Sequence, residues 1–163
     1  MRVKIAGIVN DSIVDGPGLR LTVFSQGCPH NCKGCHNPQT HDFDGGYYID
    51  TDEIIEMASN NPLLSGVTLS GGEPFMQVQP MAEIAEKAHE IGLNVIIYTG
   101  YTWEELMANE GFRGLALAAD YVVDGQFAEA LRTLDMPFVG SSNQRVIDVK
   151  KSMERGKAVL HEF

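Results

Sequence analysis

Three cysteines in one short segment constrain this sequence more than any other feature. Cys28, Cys32 and Cys35 lie within eight consecutive residues, and the rest of the chain contains no cysteine. A disulfide framework spreads its cysteines along the chain to close long loops, and an odd number leaves at least one thiol unpaired. The chain must therefore fold around an ordinary hydrophobic core, and its cysteines are available for metal binding or redox chemistry.

Length and composition are sufficient for such a core. The chain has 163 residues, of which 44% are apolar and 21% charged, which is the composition of a globular domain. A domain of this size buries roughly two thirds of the surface that its unfolded chain exposes. No Pro-, Gly- or Ser-rich linker divides the sequence, so we expect a single domain over residues 1–163.

Charge and hydropathy argue against several classes of protein. The 12 basic and 22 acidic residues give a net charge of -10, whereas a general nucleic-acid binder needs clustered Lys and Arg for phosphate contacts. No stretch approaches the ~20 apolar residues of a membrane-spanning helix. The N-terminus lacks the apolar core of a secretory signal. We therefore expect a cytoplasmic protein that binds neither nucleic acid nor membrane.

The pattern of apolar residues predicts strands that alternate with helices. The expected strands are residues 21–24, 67–70, 94–99, 121–123 and 145–149. The expected helices are 50–60, which a capping box of Asp50 and Glu53 would open, 80–91, which would begin at Pro80, and one that a capping box of Thr102 and Glu105 would open. Nearly continuous apolar strands separated by helices indicate a parallel α/β fold. Because a complete eight-unit barrel needs more than about 200 residues, we expect a partial, open (βα) barrel with about five βα units.

Four segments with glycine or cysteine fall at the carboxyl ends of predicted strands. They are the cysteine segment, Gly71-Gly72-Glu73-Pro74, Thr99-Gly100 and Asp124-Gly125. Functional sites of α/β folds collect at the carboxyl ends of the strands. We therefore expect these segments to lie together.

The donor set of the cysteine segment leaves three interpretations open. A structural zinc ion takes four protein ligands, which would require His30 or His36 beside the three thiolates. An iron-sulfur cluster is usually held by four cysteines, so three thiolates suggest a four-iron cluster with one open iron. An open coordination position is typical of a catalytic metal site. A thiol redox loop is the third interpretation.

The C-x3-C-x2-C spacing of Cys28, Cys32 and Cys35 resembles that of the radical S-adenosylmethionine (SAM) superfamily. This resemblance implies that the three thiolates bind three irons of a [4Fe-4S] cluster, while the fourth iron chelates the amino and carboxylate groups of SAM. Gly71-Gly72-Glu73-Pro74 by itself is typical of a turn. Beside the cysteines it resembles the second motif of the superfamily, in which backbone carbonyls and the acidic residue bind the SAM amino group.

The residues around the third cysteine depart from the broad superfamily. Gly34 stands where an aromatic residue often packs beside adenine, and His36 either takes over that role or is only a polar loop residue. The SAM-binding residues implied by the resemblance are Gly34, Cys35, His36, Gly71, Gly72, Glu73 and Thr99. A small residue before the third cysteine is typical of the glycyl-radical activases that act on ribonucleotide reductase.

Further segments resemble the anaerobic ribonucleoside-triphosphate reductase-activating proteins. They are residues 14–20, 98–106, 123–127 and 140–145, so that the resemblance extends over most of the chain. It implies an enzyme, a radical SAM oxidoreductase, whose cluster receives an electron from reduced flavodoxin or a similar donor. SAM is then cleaved, and the 5′-deoxyadenosyl radical abstracts a hydrogen from a backbone glycine of the large reductase subunit. The sequence suggests no firm role for Asp124, Asn143 or Arg145.

Alternatives remain at this point. The chain could activate a different glycyl radical enzyme, act as a small radical SAM enzyme on a metabolite, or serve as a zinc-binding interaction module with three cysteines and one histidine. A homodimer, or a complex with the reductase, is the expected assembly.

Overall fold

A computed structural model describes all of residues 1–163 and places seven strands in one sheet. The strands are β1 (Arg2–Ser12), β2 (Arg20–Ser25), β3 (Tyr47–Asp50), β4 (Gly66–Gly71), β5 (Asn94–Tyr98), β6 (Tyr121–Asp124) and β7 (Arg145–Asp148). The helices are α1 (Thr51–Ser59), α2 (Val78–Glu90), α3 (Trp103–Ala108), α4 (Glu110–Leu117) and α5 (Val149–Arg155). The longest helix has 13 residues, and none combines the length and apolar character needed to cross a lipid bilayer.

The strand order is β3-β1-β2-β4-β5-β6-β7, with β2, β4, β5 and β6 parallel at its centre. The predicted α/β class with a parallel sheet is therefore confirmed. The sheet is open, because its edge strands β3 and β7 do not pair with each other. The fifth predicted strand exists as β7, but it runs antiparallel to β6. The connection between them contains no α-helix, so the chain returns beside β6 without the crossover that a parallel strand requires.

Two strands precede α1 that the sequence analysis did not predict. Strand β1 pairs antiparallel with β2 on one side and with β3 on the other. Its start alternates between exposed and buried positions, with Val3 and Ile5 fully buried, which is the period-2 pattern of a half-buried strand. Strand β3 is a four-residue edge strand with exposed tyrosines at Tyr47 and Tyr48, and it carries little apolar signal.

The helices α1, α2 and α3 begin at or near the residues that the sequence predicts. The capping box of Thr102 and Glu105 at the start of α3 is formed as predicted. Asp50 caps α1 by accepting from the backbone of Asp52, without the reciprocal contact expected from Glu53. Helix α2 begins at Val78, two residues before the predicted proline start, because a 3₁₀ turn over Pro74–Gln77 leads into it.

The helices and the main core occupy one face of the sheet. Val95 and Ile97 of β5 belong to the core cluster that includes residues of α1 to α4, whereas Ile96 between them belongs to a separate small cluster with Val123 and Val139. Alternate residues of a strand point to opposite faces, so the second face has almost no helical cover. A cavity of about 770 Å³, lined in part by Phe24 of β2, lies on this second side.

A buried arginine joins the beginnings of the three central strands. Arg20 of β2 is fully buried and donates from Nε to Thr68 Oγ1 (2.7 Å) and from Nη2 to Val67 O (3.0 Å) and Asn94 Oδ1 (2.7 Å). It forms no ion pair with a carboxylate within 4 Å, and burial lowers the pKa of Arg20 to about 10. Its donors therefore stabilise the sheet through polar acceptors of β4 and β5.

Replacing this arginine should destabilise the fold. Arg20→Ala removes these three hydrogen bonds to acceptors of β4 and β5 and leaves a cavity, so we expect the free energy of unfolding to fall by about 2–4 kcal/mol. Denaturant titration of the cluster-free chain measures the change. The control Arg155→Ala alters an exposed arginine near the end of α5 and should change stability by less than about 0.5 kcal/mol. Equal effects of the two substitutions would contradict the assigned role of Arg20.

Candidate functional site

The carboxyl ends of the four parallel strands carry the segments that the sequence singled out. The cysteine loop follows β2, Gly72 follows β4, Thr99 follows β5 and Gly125 follows β6. Because these strands are neighbours in the sheet, their ends meet around one cavity of about 110 Å³. Its lining includes Cys28, Cys32, Cys35, His30, Gly71, Gly72, Thr99, Gly100 and Gly125. The structure thus brings the four segments together, as predicted.

The cysteine loop is closed at its base by backbone hydrogen bonds. Gly27 donates to Thr40 O at 2.7 Å, and Cys28 donates to His41 O at 3.2 Å. Within the loop, Asn31 and Gly34 adopt positive φ angles of 52° and 74°, which turn the chain between the cysteines. The loop is therefore held on the scaffold at both ends, while its interior follows the tight turns that bring three cysteines to one cavity.

All three thiols are free and half-buried. Burial raises the pKa of Cys28 and of Cys32 above the usual value of a thiol. No three His, Cys, Asp or Glu side chains converge on one ion position. In a four-iron cluster with three protein ligands, each thiolate binds a different iron, so thiols distributed around a cavity fit such a cluster better than a single zinc ion. The donor chemistry of the loop therefore suits the [4Fe-4S] group.

Neither candidate histidine is placed as a fourth zinc ligand. His30 Nε2 lies 2.6 Å from Glu73 Oε1, and His30 Nδ1 lies 3.4 Å from Gln126 Nε2. His36 is exposed, lines the larger cavity and has its ring 5.0 Å from that of Phe127. Both ring nitrogens of His30 are thus engaged by the protein, and His36 faces a different space.

Glu73 is fully buried and does not line the small cavity. Its carboxylate accepts from His30 Nε2, from the Thr99 hydroxyl at 2.8 and 2.9 Å, from Gly100 N at 2.8 Å and from Phe75 N at 3.1 Å. Four donors are what a buried carboxylate, which can only accept, requires. The side chain therefore joins the cysteine loop, the glycine motif and the end of β5 from behind the cavity.

The two glycines of the same motif permit a close approach between backbones. Gly71 has φ of 88°, a conformation that side chains disfavour. A Cβ on Gly72 would lie 2.5 Å from Gly27 O and 2.9 Å from Thr40 O. Two backbone hydrogen bonds of 2.8 Å, from Gly72 N to Ser25 O and from Glu73 N to Gly27 O, join the motif to the end of β2 and to the residue before Cys28.

The predicted SAM residues divide between the two cavities. Gly71, Gly72 and Thr99 line the small cavity, His36 lines the large one, and Cys35 borders both. Gly34 lines neither, and a Cβ at this position would contact the side chain of Glu129 at 3.1 Å. Glu73 likewise lines neither cavity. Tyr98 borders both cavities, a position for which the sequence analysis had no specific expectation.

Comparison with known proteins adds an independent observation. Residues 14–147 match the family described as "4Fe-4S single cluster domain". The anaerobic ribonucleoside-triphosphate reductase-activating protein of Escherichia coli (strain K12) is 33% identical, over 82% of this chain and 91% of its own length. The protein of the same name from Enterobacteria phage T4 is 31% identical, over 82% of this chain and 86% of its own.

The chain belongs to this family of reductase-activating 4Fe-4S proteins.

Two further matches are more distant or cover less. Pyruvate formate-lyase-activating enzyme of Clostridium pasteurianum is 35% identical over 64% of this chain and 48% of its own length. Among solved structures, QueE from Escherichia coli aligns with 63% of this chain and 54% of its own, with a TM-score of 0.48 and 16% identity.

Membership in the reductase-activating family confirms the resemblance identified from the motifs. The chain is a radical SAM enzyme, and its cofactors are a [4Fe-4S] cluster and SAM. The interpretation as a zinc-binding interaction module is wrong. The cluster explains the number of cysteines, because three thiolates leave one iron open to a substrate.

The structure assigns positions to three residues of this family member that had no firm role. Asp124, 1% exposed, accepts from Trp103 N at 2.7 Å and from Arg145 Nε at 3.1 Å. Hydrogen bonds with the carboxylates of Asp124 and Glu104 raise the pKa of Arg145. Asn143 Nδ2 donates to Gln126 O at 2.8 Å. These contacts hold the end of β6 and the segment after it against α3, β7 and the loop before β7, and none of the three residues lines the small cavity.

Closing the space at Gly72 should disturb the junction between the cysteine loop and the glycine motif. Gly72→Ala places a Cβ against two backbone oxygens that cannot rotate away, so we expect the free energy of unfolding to fall by about 1–3 kcal/mol. Denaturant titration measures this change. The matched control Gly7→Ala meets no atom within 4 Å and should leave stability unchanged or raise it by up to about 1 kcal/mol. Equal outcomes for the two glycines would show that no close approach exists at Gly72.

Proposed function

We propose that this chain generates a glycyl radical on the large subunit of an anaerobic ribonucleoside-triphosphate reductase. The observation that carries the proposal is the site itself, with three free thiols around one cavity at the ends of parallel strands in a chain of the reductase-activating family. The large cavity beside that site lies on the face of the sheet that helices leave uncovered. A macromolecular substrate can reach the site from this side.

Cys28, Cys32 and Cys35 would hold the cluster through their three thiolates. When bound and reduced, it would supply the electron for the cleavage of SAM, and with it the radical chemistry that takes a hydrogen atom from a glycine of the partner. The protein supplies binding, orientation and the exclusion of side reactions. The half-buried thiols suit this role, because they keep the cluster close to the surface where an external donor can reduce it.

Gly71, Gly72 and Thr99 form the protein side of the site for the methionine part of SAM. This assignment is supported by their position, because all three line the small cavity together with the cysteines. The ammonium of SAM needs acceptors at close range, and the glycine backbone provides them where a side chain would obstruct the approach. Glu73 acts from behind the cavity, since its oxygens already accept from four protein donors.

His36 and Cys35 extend this site toward the large cavity. The His36 ring, with Phe127 5.0 Å away, forms an exposed aromatic wall on which adenine can pack. Gly34 contributes a tight turn before Cys35 in place of a side chain, since its φ is 74°. In this proposal, the SAM-binding role of the segment is divided between a backbone turn at Gly34 and the histidine that follows Cys35.

The partner's glycine loop covers the large cavity. Its rim carries exposed apolar side chains from two separate loops, with Ile13 72%, Val14 73% and Leu134 92% exposed. Exposed apolar side chains grouped around a cavity mark interaction sites. A radical formed in the cavity must be shielded from water, and a docked partner would close the open side.

Reduced flavodoxin or a similar one-electron donor is the proposed reductant, since Pro29, Asn31 and Lys33 leave one side of the cysteine loop exposed to solvent. The cytoplasmic location and the homodimer stay predictions.

The decisive experiment combines the chain with the reductase under anaerobic conditions. After reconstitution with iron and sulfide, SAM and a reductant are added, and electron paramagnetic resonance (EPR) is recorded. We expect a glycyl-radical doublet on the reductase. A parallel reaction with pyruvate formate-lyase tests the alternative substrate. Absence of the doublet on the reductase, with a cluster fully loaded, would overturn the proposed function.

Removal of any one cluster thiol should abolish cluster binding. Cys28→Ser, Cys32→Ser and Cys35→Ser each leave two thiolates for a cluster that already lacks a fourth protein ligand, so we expect colourless protein with little iron after reconstitution. Iron and sulfide analysis measures the loss. The control Ser142→Ala alters an exposed residue outside the loop and should retain the iron content of the unmodified chain. Full iron content in any of the three cysteine variants would remove that residue from the ligand set.

The partner surface predicts a separation of two activities. Leu134→Glu places a charge on the apolar rim, so we expect the glycyl-radical yield on the reductase to fall by about tenfold or more, because a buried interface charge without a partner costs several kcal/mol. SAM cleavage by the reduced enzyme alone should be retained. The control Leu63→Glu changes a 75% exposed leucine that lines neither cavity. Equal radical yields for both variants would exclude the rim as the docking surface.

A further inference from the structure

His30 stands out among the titratable side chains around the site, because no part of the proposed chemistry uses it. The residue lies between Cys28 and Cys32, and its side chain is only 7% exposed although it belongs to a surface loop. His30 Nε2 lies 2.6 Å from Glu73 Oε1, and His30 Nδ1 lies 3.4 Å from Gln126 Nε2. A carboxylate only accepts and an amide nitrogen only donates, so these neighbours select the tautomer with the proton on Nε2.

The ring fits a space that other residues shape. A Cβ on Gly100 would lie 2.4 Å from His30 Cδ2 and 2.6 Å from Nε2, so glycine at this position is necessary for the ring to reach Glu73. The ring of Tyr101 packs against the imidazole at an angle of 74°, with 4.6 Å between the ring centroids. The imidazole is therefore packed against two successive residues of the segment that follows β5.

Glu73 joins the cysteine loop at two points, one on each side of Cys28. On the N-terminal side, the backbone N–H of Glu73 donates to Gly27 O at 2.8 Å. On the C-terminal side, its carboxylate accepts from His30. Cys28 thus lies on a short stretch of chain whose two ends are attached to the same residue of the glycine motif.

The contact continues on the far side of the ring toward a second cysteine. Gln126 Oε1 lies 3.9 Å from Cys32 Sγ, within the range of a weak thiol hydrogen bond. The backbone oxygen of Gln126 accepts from Asn143 Nδ2, and this hydrogen bond joins the segment after β6 to the loop before β7. His30 therefore lies between the residue that supports the glycine motif and a residue beside Cys32.

We propose that His30 is a positioning residue, which with Glu73 fixes the cysteine loop against the Gly71-Gly72 backbone. The inference rests on the proposed cluster and SAM sites. The proposed role of His30, which lies between Cys28 and Cys32, depends on its hydrogen bond with Glu73. Side chains that orient metal ligands from behind change metal affinity by about 10–100-fold when they are replaced.

Two substitutions of His30 separate the hydrogen bond from the size of the side chain. The amide nitrogen of His30→Gln can take the place of Nε2 and donate to Glu73. The shorter His30→Asn places its amide near the position of Nδ1 and does not reach the carboxylate. A difference between these two variants therefore reports on the contact with Glu73.

The first readout is the rate at which reconstituted protein loses iron to a ferrous chelator. We expect His30→Asn to lose iron about tenfold faster or more, and His30→Gln to remain within about threefold of the unmodified chain. The second readout is the EPR spectrum of the reduced cluster as SAM is titrated. We expect a comparable loss of SAM affinity in His30→Asn and its recovery in His30→Gln. Equal iron retention and SAM affinity in all three proteins would overturn the proposal, as would equal losses in both variants.

A double-substitution cycle tests the pair directly. If His30 acts through Glu73, His30→Asn should add little to the loss caused by Glu73→Met, because methionine has a similar length but no oxygen to accept from His30. Additive effects on iron retention would show that His30 acts independently of Glu73 and would overturn the assignment. Far-UV circular dichroism of each cluster-free variant shows that the chain is folded before it is loaded.

A measurement on the unmodified, cluster-free chain does not depend on any variant folding. The ¹⁵N chemical shifts of the His30 ring should show one tautomer with the proton on Nε2, and exchange between two tautomers would contradict the contact with Glu73. None of these readouts uses the reductase. If iron retention and SAM binding follow His30 while no glycyl radical forms on the reductase, the proposed substrate fails and the positioning role stands.

Discussion

The burial of one carboxylate organises the functional end of this protein. Glu73 has no exposed surface, and a carboxylate in such a place must find donors within the protein. It takes them from Phe75 in its own segment, from Thr99 and Gly100 at the end of β5, and from His30 in the cysteine loop. Three chain segments that are distant in sequence are thereby fixed around the cavity that the thiols line. The contact between His30 and Glu73 also requires glycine at position 100, because a Cβ there would lie 2.4 Å from His30 Cδ2.

The arrangement of the sheet determines what can reach that cavity. Helices pack on one face, and the other face has a small apolar cluster and a cavity of about 770 Å³ with exposed apolar side chains at its rim. The antiparallel strands β1 and β7 flank the four parallel strands where a closed barrel would have further βα units. An open face of this kind suits a substrate that is part of a folded macromolecule. The carboxyl ends of the parallel strands still collect the loops, as they do in complete α/β barrels.

Local signals in the sequence predicted a large part of the fold and of the site. The capping box of Thr102 and Glu105 and the buried strands depend on neighbours a few residues away, so the pattern alone contains them. Strand β1 was missed because its alternation is short and lies between charged residues, and the direction of β7 depends on the absence of a helix in the preceding connection. Asp124 and Arg145 showed no function in the sequence, because their ion pair joins different strands of the sheet.

The sequence by itself determined the donor set of the site. The spacing of Cys28, Cys32 and Cys35 is a property of the covalent chain, and three thiolates on one loop leave a four-iron cluster with an open iron wherever the loop is placed. Only the tertiary structure decided which partners Glu73 and His30 contact. Their contact spans 43 residues, and it exists because parallel pairing of β2 with β4 brings the two strand ends together. Contacts between side chains so far apart in sequence depend on which strands pair, and the local sequence around either residue does not contain that information.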